Sequence, residues 1–389
     1  MKNILTLNSI SPVINDIFDS SYNVASDAKS PVGIMLRSFK MHDYTLDENT
    51  VAIARAGAGV NNIPIDEYAK QGVVVFNTPG ANANAVKELV LCAMLLGSRK
   101  IVPAIEWAST LKGKGDEVGK LVEKGKSDFV GGEILNKKLG VIGLGAIGAL
   151  VANSAIDLGM QVYGYDPYLS VGAALRLSNQ IHIEKELDEL VKKCDYITLH
   201  IPYIASQNKG FINAGLLRKM KDGVVIINCA RGELVDNDDI IKATESGKVG
   251  RYIVDFPADE IIGKENIICI PHLGASTPEA EDNCAVMAAK QLIDYIENGN
   301  VVNSVNYPNC SMPRSTDYRL VILHKNISNI LAQITGAVGK EGINISNMSN
   351  QSKGDYAITI LDVEKEVSAT SISHLLSVEG IIKIRAINK

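Results

Sequence analysis

The chain is predicted to be an α/β protein with two doubly wound parallel-sheet domains followed by a small domain of order βαββαβ. Three features predict this. Short apolar runs alternate with helical stretches, the alternation restarts with a different rhythm at Lys138, and a proline-containing polar stretch at Tyr307–Thr316 precedes a last block. A length of 389 residues exceeds what one ordinary core holds, so two or three domains are expected. With 46% hydrophobic and 21% charged residues the composition is that of a globular protein. A formal net charge of -5 gives no general attraction to nucleic acid or to an anionic membrane, so neither is expected as a partner. Met1-Lys2-Asn3-Ile4 opens no apolar signal segment, no apolar run is long enough to span a bilayer, and a cytoplasmic location is expected. The six cysteines are scattered without a Cys-x-x-Cys pair and read as reduced thiols, with no metal site.

The elements follow in order. Val32–Leu36, Thr50–Ala54 and Val73–Phe76 read as strands, with Ile65–Lys70 helical between the second and third. Glu88–Leu96 is apolar nearly all round and predicts a buried helix. After Lys138 the strand candidates are Leu139–Ile142, Gln161–Tyr165, Tyr196–His200, Val224–Asn228, Tyr252–Phe256 and Ile267–Ile270. Pro278–Asn298 predicts one long helix, stopped by Gly299, that returns the chain to the first domain. The last block reads as strand Tyr318–His324, helix Ile327–Val338, strands Asn344–Met348 and Tyr356–Val363, helix Ser368–Leu376 and strand Ile381–Ile387, the ferredoxin-like order. The lysine-rich stretch Lys112–Lys126 reads for most of its lysines as a solvated charged loop, the alternative being cations lent to a site on a partner subunit.

Gly143-Leu144-Gly145-Ala146-Ile147-Gly148 directly follows a strand and opens the apolar helix Ala149–Leu158. Gly143 permits the tight turn, Gly145 lets backbone approach a pyrophosphate, and Gly148 lets helix and strand pack closely. The helix N-terminus, with Ala146 and Ile147 in its first turn, offers free N–H groups and a positive dipole end to phosphates. The next strand ends in Asp166, whose carboxylate suits a ribose diol and would repel a 2′-phosphate. The combination predicts a Rossmann-like domain that binds NAD rather than NADP.

Two further strand ends carry chemistry. Arg231, in Asn228-Cys229-Ala230-Arg231-Gly232, has the forked guanidinium that holds a carboxylate two-pronged. His272, in Pro271-His272-Leu273-Gly274, titrates in the range needed to take a hydroxyl proton during hydride transfer. Asp259 and Glu260 are the candidates to orient its ring.

With Arg55-Ala56-Gly57-Ala58-Gly59, Asn77-Thr78-Pro79-Gly80, the glycine loop, Cys229–Gly232 and His272–Thr277 on one chain, the sequence resembles the D-isomer-specific 2-hydroxy acid dehydrogenases over nearly its whole length, and most closely those members that act on 3-phosphoglycerate. The resemblance implies that Arg231, His272 and Asp259 are the catalytic residues. It implies that Arg55, Ala56, Gly57 and Gly59 bind substrate, and that His200, Pro202, Cys229, Asp255 and Gly274 join the glycine loop in holding NAD. The family motif Asp-Val-Phe is Val254-Asp255-Phe256 here, so Asp255 takes the nicotinamide-holding role one position late, and Asp259 stands where the family has glutamate. Arg37, Lys40 and Arg55 are the local cations for a substrate phosphate. The last block resembles an amino-acid-binding ACT domain, with His324, Asn326 and Asn344 at the places that bind an L-serine effector, although the family's Pro-Gly is Ser328-Asn329 here. The implied activity is oxidation of 3-phospho-D-glycerate to 3-phosphohydroxypyruvate, the first step of L-serine biosynthesis, by a homodimer or homotetramer. The alternatives are hydroxypyruvate, glyoxylate or D-lactate reduction and, from another class, an NAD-sensing corepressor-like binding protein. The expected boundaries are 1–98 with 286–312 for the substrate domain, 99–285 for the NAD domain, 313–317 for a linker and 318–389 for the ACT domain.

Overall fold

The computed structural model describes residues 1–389, which divide into two compact units: Met1–Ala81 with Glu281–Lys389, and Asn82–Ala280. The first unit opens with β1 (Lys2–Leu7), β2 (Tyr22–Ala25), β3 (Gly33–Leu36), β4 (Ala52–Arg55) and β5 (Val74–Phe76). They form a wholly parallel sheet in the order β2-β1-β3-β4-β5. Every residue of β3 and of β5 is buried, as parallel strands covered on both faces require. β1 and β2 lie outside the expected strands. β2 is a short edge strand with one buried residue, so its sequence carries no apolar run.

In the second unit β6 (Lys138–Ile142), β7 (Gln161–Tyr165), β8 (His182–Ile183), β9 (Tyr196–Leu199), β10 (Val224–Asn228), β11 (Val249–Val254) and β12 (Ile267–Cys269) form a seven-stranded parallel sheet, ordered β12-β11-β10-β9-β6-β7-β8. The strand order reverses between β6 and β9, which makes that edge the ligand crevice of a doubly wound sheet. β8 escapes sequence reading because it is two exposed residues at the sheet margin. Helix Ala83–Ser98 belongs to this unit rather than to the first. Its Val86, Val90, Ala93 and Met94 share a core with Leu139, Val141, Val225 and Ile253. The division therefore falls after Ala81 and after Ala280, not after residues 98 and 285. Residues 112–126 are not simply a loop. Helix Val118–Gly125 forms there, and Trp107 packs on Phe129 at 5.3 Å between ring centroids.

Helix Pro278–Asn298 carries the chain back into the first unit, where Ala285, Ala288, Ala289, Leu292, Tyr295 and Ile296 enter the core of the first sheet. A third sheet follows: β13 (Tyr318–Lys325), β14 (Ile345–Lys353), β15 (Tyr356–Val363) and β16 (Ile381–Asn388), antiparallel in the order β14-β15-β13-β16. One face of it, with Leu320, Ile322, Leu361 and Val363, packs with residues of helices Ile330–Lys340 and Ala369–Leu376. The other face, with Val321, Leu323, Ile358 and Ile360, joins the core of the first sheet. Each fully buried aliphatic side chain there contributes ~1.5–3 kcal/mol. Nor is 313–317 a free linker. Arg319 and Asp362, both with fully buried side chains, pair two-pronged at 2.6 and 3.0 Å, and Ser315 donates to the same carboxylate through its backbone N–H and its hydroxyl. Arg319 donates in addition to the carbonyls of Asn298 and Met312, so the buried charge is fully partnered.

Candidate active site

The turn after β6 is made by glycine where side chains cannot fit. Gly143 has φ +92°, and a Cβ there would lie 2.6 Å from the carbonyl oxygen of His200. At Gly148 a Cβ would lie 1.9 Å from the Gly143 oxygen, so the first helical turn is pressed against the loop. At Gly145, the N-cap of helix Ala146–Asp157, a Cβ would meet nothing within 4 Å. The helix N-terminus is thus open at the position where a phosphate needs backbone N–H groups, and the residues present fit a dinucleotide. Asp166, one residue past β7, accepts from the backbone N–H of Leu144 at 2.9 Å and from that of Tyr168 at 2.9 Å, which ties this carboxylate to the loop. His200 continues β9 beside the loop; burial pushes its pKa down to about 3, so it is a neutral ring with a 3.0 Å contact to the Thr198 hydroxyl. Pro202 is exposed two residues on.

The ends of β10, β11 and β12 meet at Phe256. The His272 ring lies 4.6 Å from the Phe256 ring, and the Arg231 guanidinium carbon lies 5.9 Å from the same ring. Two groups 41 residues apart in sequence, by subtraction of their numbers, are thereby brought around one aromatic platform. Arg231 is half-buried and spends one N–H on the carbonyl of Ala230 at 2.6 Å. Asn228 shapes its turn, accepting from the N–H groups of Ala230 and Arg231 and donating to the Arg231 carbonyl. The sequence marks Phe256 as a strand-end residue, but the two neighbours it brings together are set by the fold.

Asp259 and Glu260 are both exposed, and neither appears among the ion pairs of the chain with His272. The carboxylate that reaches the histidine turn is Asp255 instead. Only 1% exposed, it accepts from the backbone N–H of Leu273 at 2.7 Å and of Gly274 at 2.8 Å. Burial raises its pKa, opposed by those hydrogen bonds and by the nearby His272. Cys229 is 7% exposed, and burial, then the charge of Asp255, pushes its thiol up to about 12, so it is an un-ionised wall residue.

In the first unit the Arg55–Gly59 loop follows β4. Ala56 is buried and its N–H donates to the Leu36 carbonyl, the Gly57 carbonyl accepts from Thr78 N–H at 3.1 Å, and the Ala58 carbonyl accepts from the Asn77 side chain at 2.6 Å. These bonds join the two motif segments into one backbone surface that includes half-buried Gly59. Arg55 donates through Nε to the Arg37 carbonyl at 2.9 Å, Arg37 pairs with Glu281 at 2.5 Å, and Lys40 is exposed.

The three effector candidates do not come together within one chain. His324 is 1% exposed and its ring nitrogens contact the Lys325 carbonyl at 2.8 Å and the Thr359 hydroxyl at 2.9 Å. Asn326 donates to the Gly354 carbonyl and Asn344 to Glu364. Through β15 the register aligns Ile345 with Tyr318, and Lys353 with Lys325, so Asn344 and His324 stand at opposite ends of the sheet, roughly 20 Å apart at strand rise.

These features define a nucleotide-binding oxidoreductase, and comparison with known proteins narrows the class. Residues 91–274 match the family model described as D-isomer specific 2-hydroxyacid dehydrogenase, NAD binding domain. D-3-phosphoglycerate dehydrogenase of Haemophilus influenzae is 31% identical over 349 residues, covering 87% of this chain and 81% of that protein. Its Escherichia coli K12 namesake is 30% identical over 368 residues, covering 91% and 86%. A crystal structure of NAD+-bound 3-phosphoglycerate dehydrogenase from Entamoeba histolytica superposes with a TM-score of 0.62 at 27% identity, over 78% of this chain and 98% of that one. The chain belongs to the D-isomer-specific 2-hydroxyacid dehydrogenase family and is an NAD-dependent oxidoreductase. No helix is long and apolar enough to cross a membrane.

Proposed function

We propose that the chain oxidises 3-phospho-D-glycerate to 3-phosphohydroxypyruvate, the entry step of L-serine biosynthesis. The observation that carries the chemistry is the meeting of Arg231 and His272 at Phe256, on the sheet that bears the glycine loop. Arg231 holds the substrate carboxylate two-pronged, and His272 takes the C2 hydroxyl proton. Bound NAD supplies the hydride acceptor. Gly145, Ala146, Ile147 and the helix N-terminus hold its pyrophosphate between Gly143 and Gly148, and Asp166 its ribose diol. His200, Pro202, Cys229 and Gly274 line the remainder. Arg55, Ala56, Gly57 and Gly59 are the substrate-side contacts. The likeness to D-3-phosphoglycerate dehydrogenases over most of both chains supports this substrate.

The C-terminal antiparallel domain, with an ACT-like order, is proposed to sense L-serine as part of a homodimer or homotetramer. The separation of Asn344 from His324 favours an effector held between two copies rather than by one. NADH formation followed at 340 nm, with 3-phosphoglycerate against D-lactate, glycerate and other hydroxy acids, tests the substrate. A higher kcat/KM for any non-phosphorylated acid would overturn it. L-serine added to the same assay should lower the rate, and unchanged rates would remove the regulatory role.

A further inference from the structure

We propose that Asp255 is a positioning residue for His272: its carboxylate fills the anion-binding hollow of the turn that presents the acid–base imidazole, rather than holding the nicotinamide. The inference rests on the acid–base role given to His272 above.

His272 has φ +56°, a left-handed conformation that costs a non-glycine residue roughly 1–2 kcal/mol. Such a residue turns the N–H groups that follow it toward one point and makes a concavity for an anion. Both following N–H groups are taken by Asp255, one by each carboxylate oxygen, at 2.7 and 2.8 Å. Gly274 is part of the fit, since a Cβ there would lie 2.9 Å from the Asp255 oxygen. The strand explains why this position holds the acid. Val254 packs in the cluster with Tyr252 and Leu234, whereas its neighbour Asp255 points to the opposite face, toward the Gly274 turn. Moving the acid one position along the chain, from the last residue of β11 to the next, therefore transfers it across the sheet. With both oxygens engaged and 1% exposure, the carboxylate is committed to the turn.

The groups around it are few. Cys229, just past β10, feels its charge, helix Ala83–Ser98 presents Val86 and Leu89 beside Gly274 and Cys92 near Cys229, and His272 acts on it electrostatically. Arg231 lies across Phe256, and Asp259 and Glu260 are exposed. Asp255 thus ties down the two backbone N–H groups that follow the imidazole, with each carboxylate oxygen spent on the turn.

The test is Asp255→Asn. An amide offers one acceptor and turns an N–H donor toward another N–H, so the turn loosens. We expect kcat for NADH formation to fall by about 10²-fold, the cost of a misplaced acid–base group. NADH affinity by fluorescence titration should stay within about twofold, within the scatter of distant substitutions. The opposite split, NADH affinity weakened about tenfold (~1.4 kcal/mol) with kcat at saturating NAD retained, would show that Asp255 holds the nicotinamide and would overturn the proposal. A second measurement on the unaltered protein covers a variant that fails to fold. The Leu273 and Gly274 amide resonances should shift together with one carboxylate titration, and their failure to do so would equally overturn it. That measurement needs no substrate, so it judges the turn even if no hydroxy acid is oxidised.

Discussion

Two turns at the same edge of one parallel sheet are built by opposite means. The turn after β6 is shaped by missing side chains: Gly143 bends, Gly148 lets the helix press on the loop, and Gly145 leaves its outer surface bare. The turn after β12 is shaped by a side chain that arrives from elsewhere, Asp255, which pins two backbone N–H groups behind a left-handed His272. The first suits a ligand recognised through backbone, such as a pyrophosphate. The second suits a single imidazole that must be aimed. A backbone cradle is written into one short segment, whereas an aimed side chain needs support from a second strand.

The contrast can be broken most sharply at His272. Replacement by alanine should lower kcat about 10²–10⁴-fold while NADH fluorescence titration shows affinity nearly kept. Turnover within a few-fold of the parent would remove the acid–base assignment. Arg231→Lys comes next. It keeps the charge but loses the fork and the approach to Phe256, so kcat/KM should fall about 10²-fold in steady-state assays, the cost of one two-pronged charged contact of ~3 kcal/mol. Ordinary kinetics in that variant would mean that the carboxylate binds elsewhere.

The two glycine positions sharpen the comparison further. At Gly148 an alanine Cβ has no room, so Gly148→Ala should cost ~1–3 kcal/mol of stability by denaturant unfolding, and cofactor binding with it. At Gly145 the same methyl meets open space, so Gly145→Ala should leave the unfolding midpoint nearly unchanged and weaken NADH binding about tenfold (~1.4 kcal/mol). If both variants lost stability alike, Gly145 would be a structural glycine and not a ligand-facing one.

How far the site could be read from sequence follows the same division. The glycine loop and Asp166 lie 18 residues apart by subtraction of Asp166 and Gly148, and their spacing is a local code. Arg231 and His272 were legible as polar residues placed just after apolar strands. Phe256 as their common neighbour, and Asp255 as the acid bonded to the N–H groups of Leu273 and Gly274, were not, because a one-residue shift along a strand changes the face on which a side chain appears. Among the elements, Gln161–Tyr165, Val224–Asn228 and Tyr356–Val363 coincide with their apolar runs. β2 and β8 sit at sheet edges, where the pairing partner rather than side-chain burial makes the strand.

The sequence by itself determined the parallel sheets, the antiparallel C-terminal sheet and the cofactor loop, since each depends on residues near one another along the chain, through apolar period, strand-to-helix punctuation and glycine spacing. The tertiary structure alone decided which unit helix Ala83–Ser98 joins, that the C-terminal sheet shares a core with the first sheet around the Arg319–Asp362 pair, and which acid bonds the turn after His272. Those outcomes depend on which surfaces exclude water together and on the face of a strand from which a side chain emerges, and neither leaves a period in the sequence that forms it.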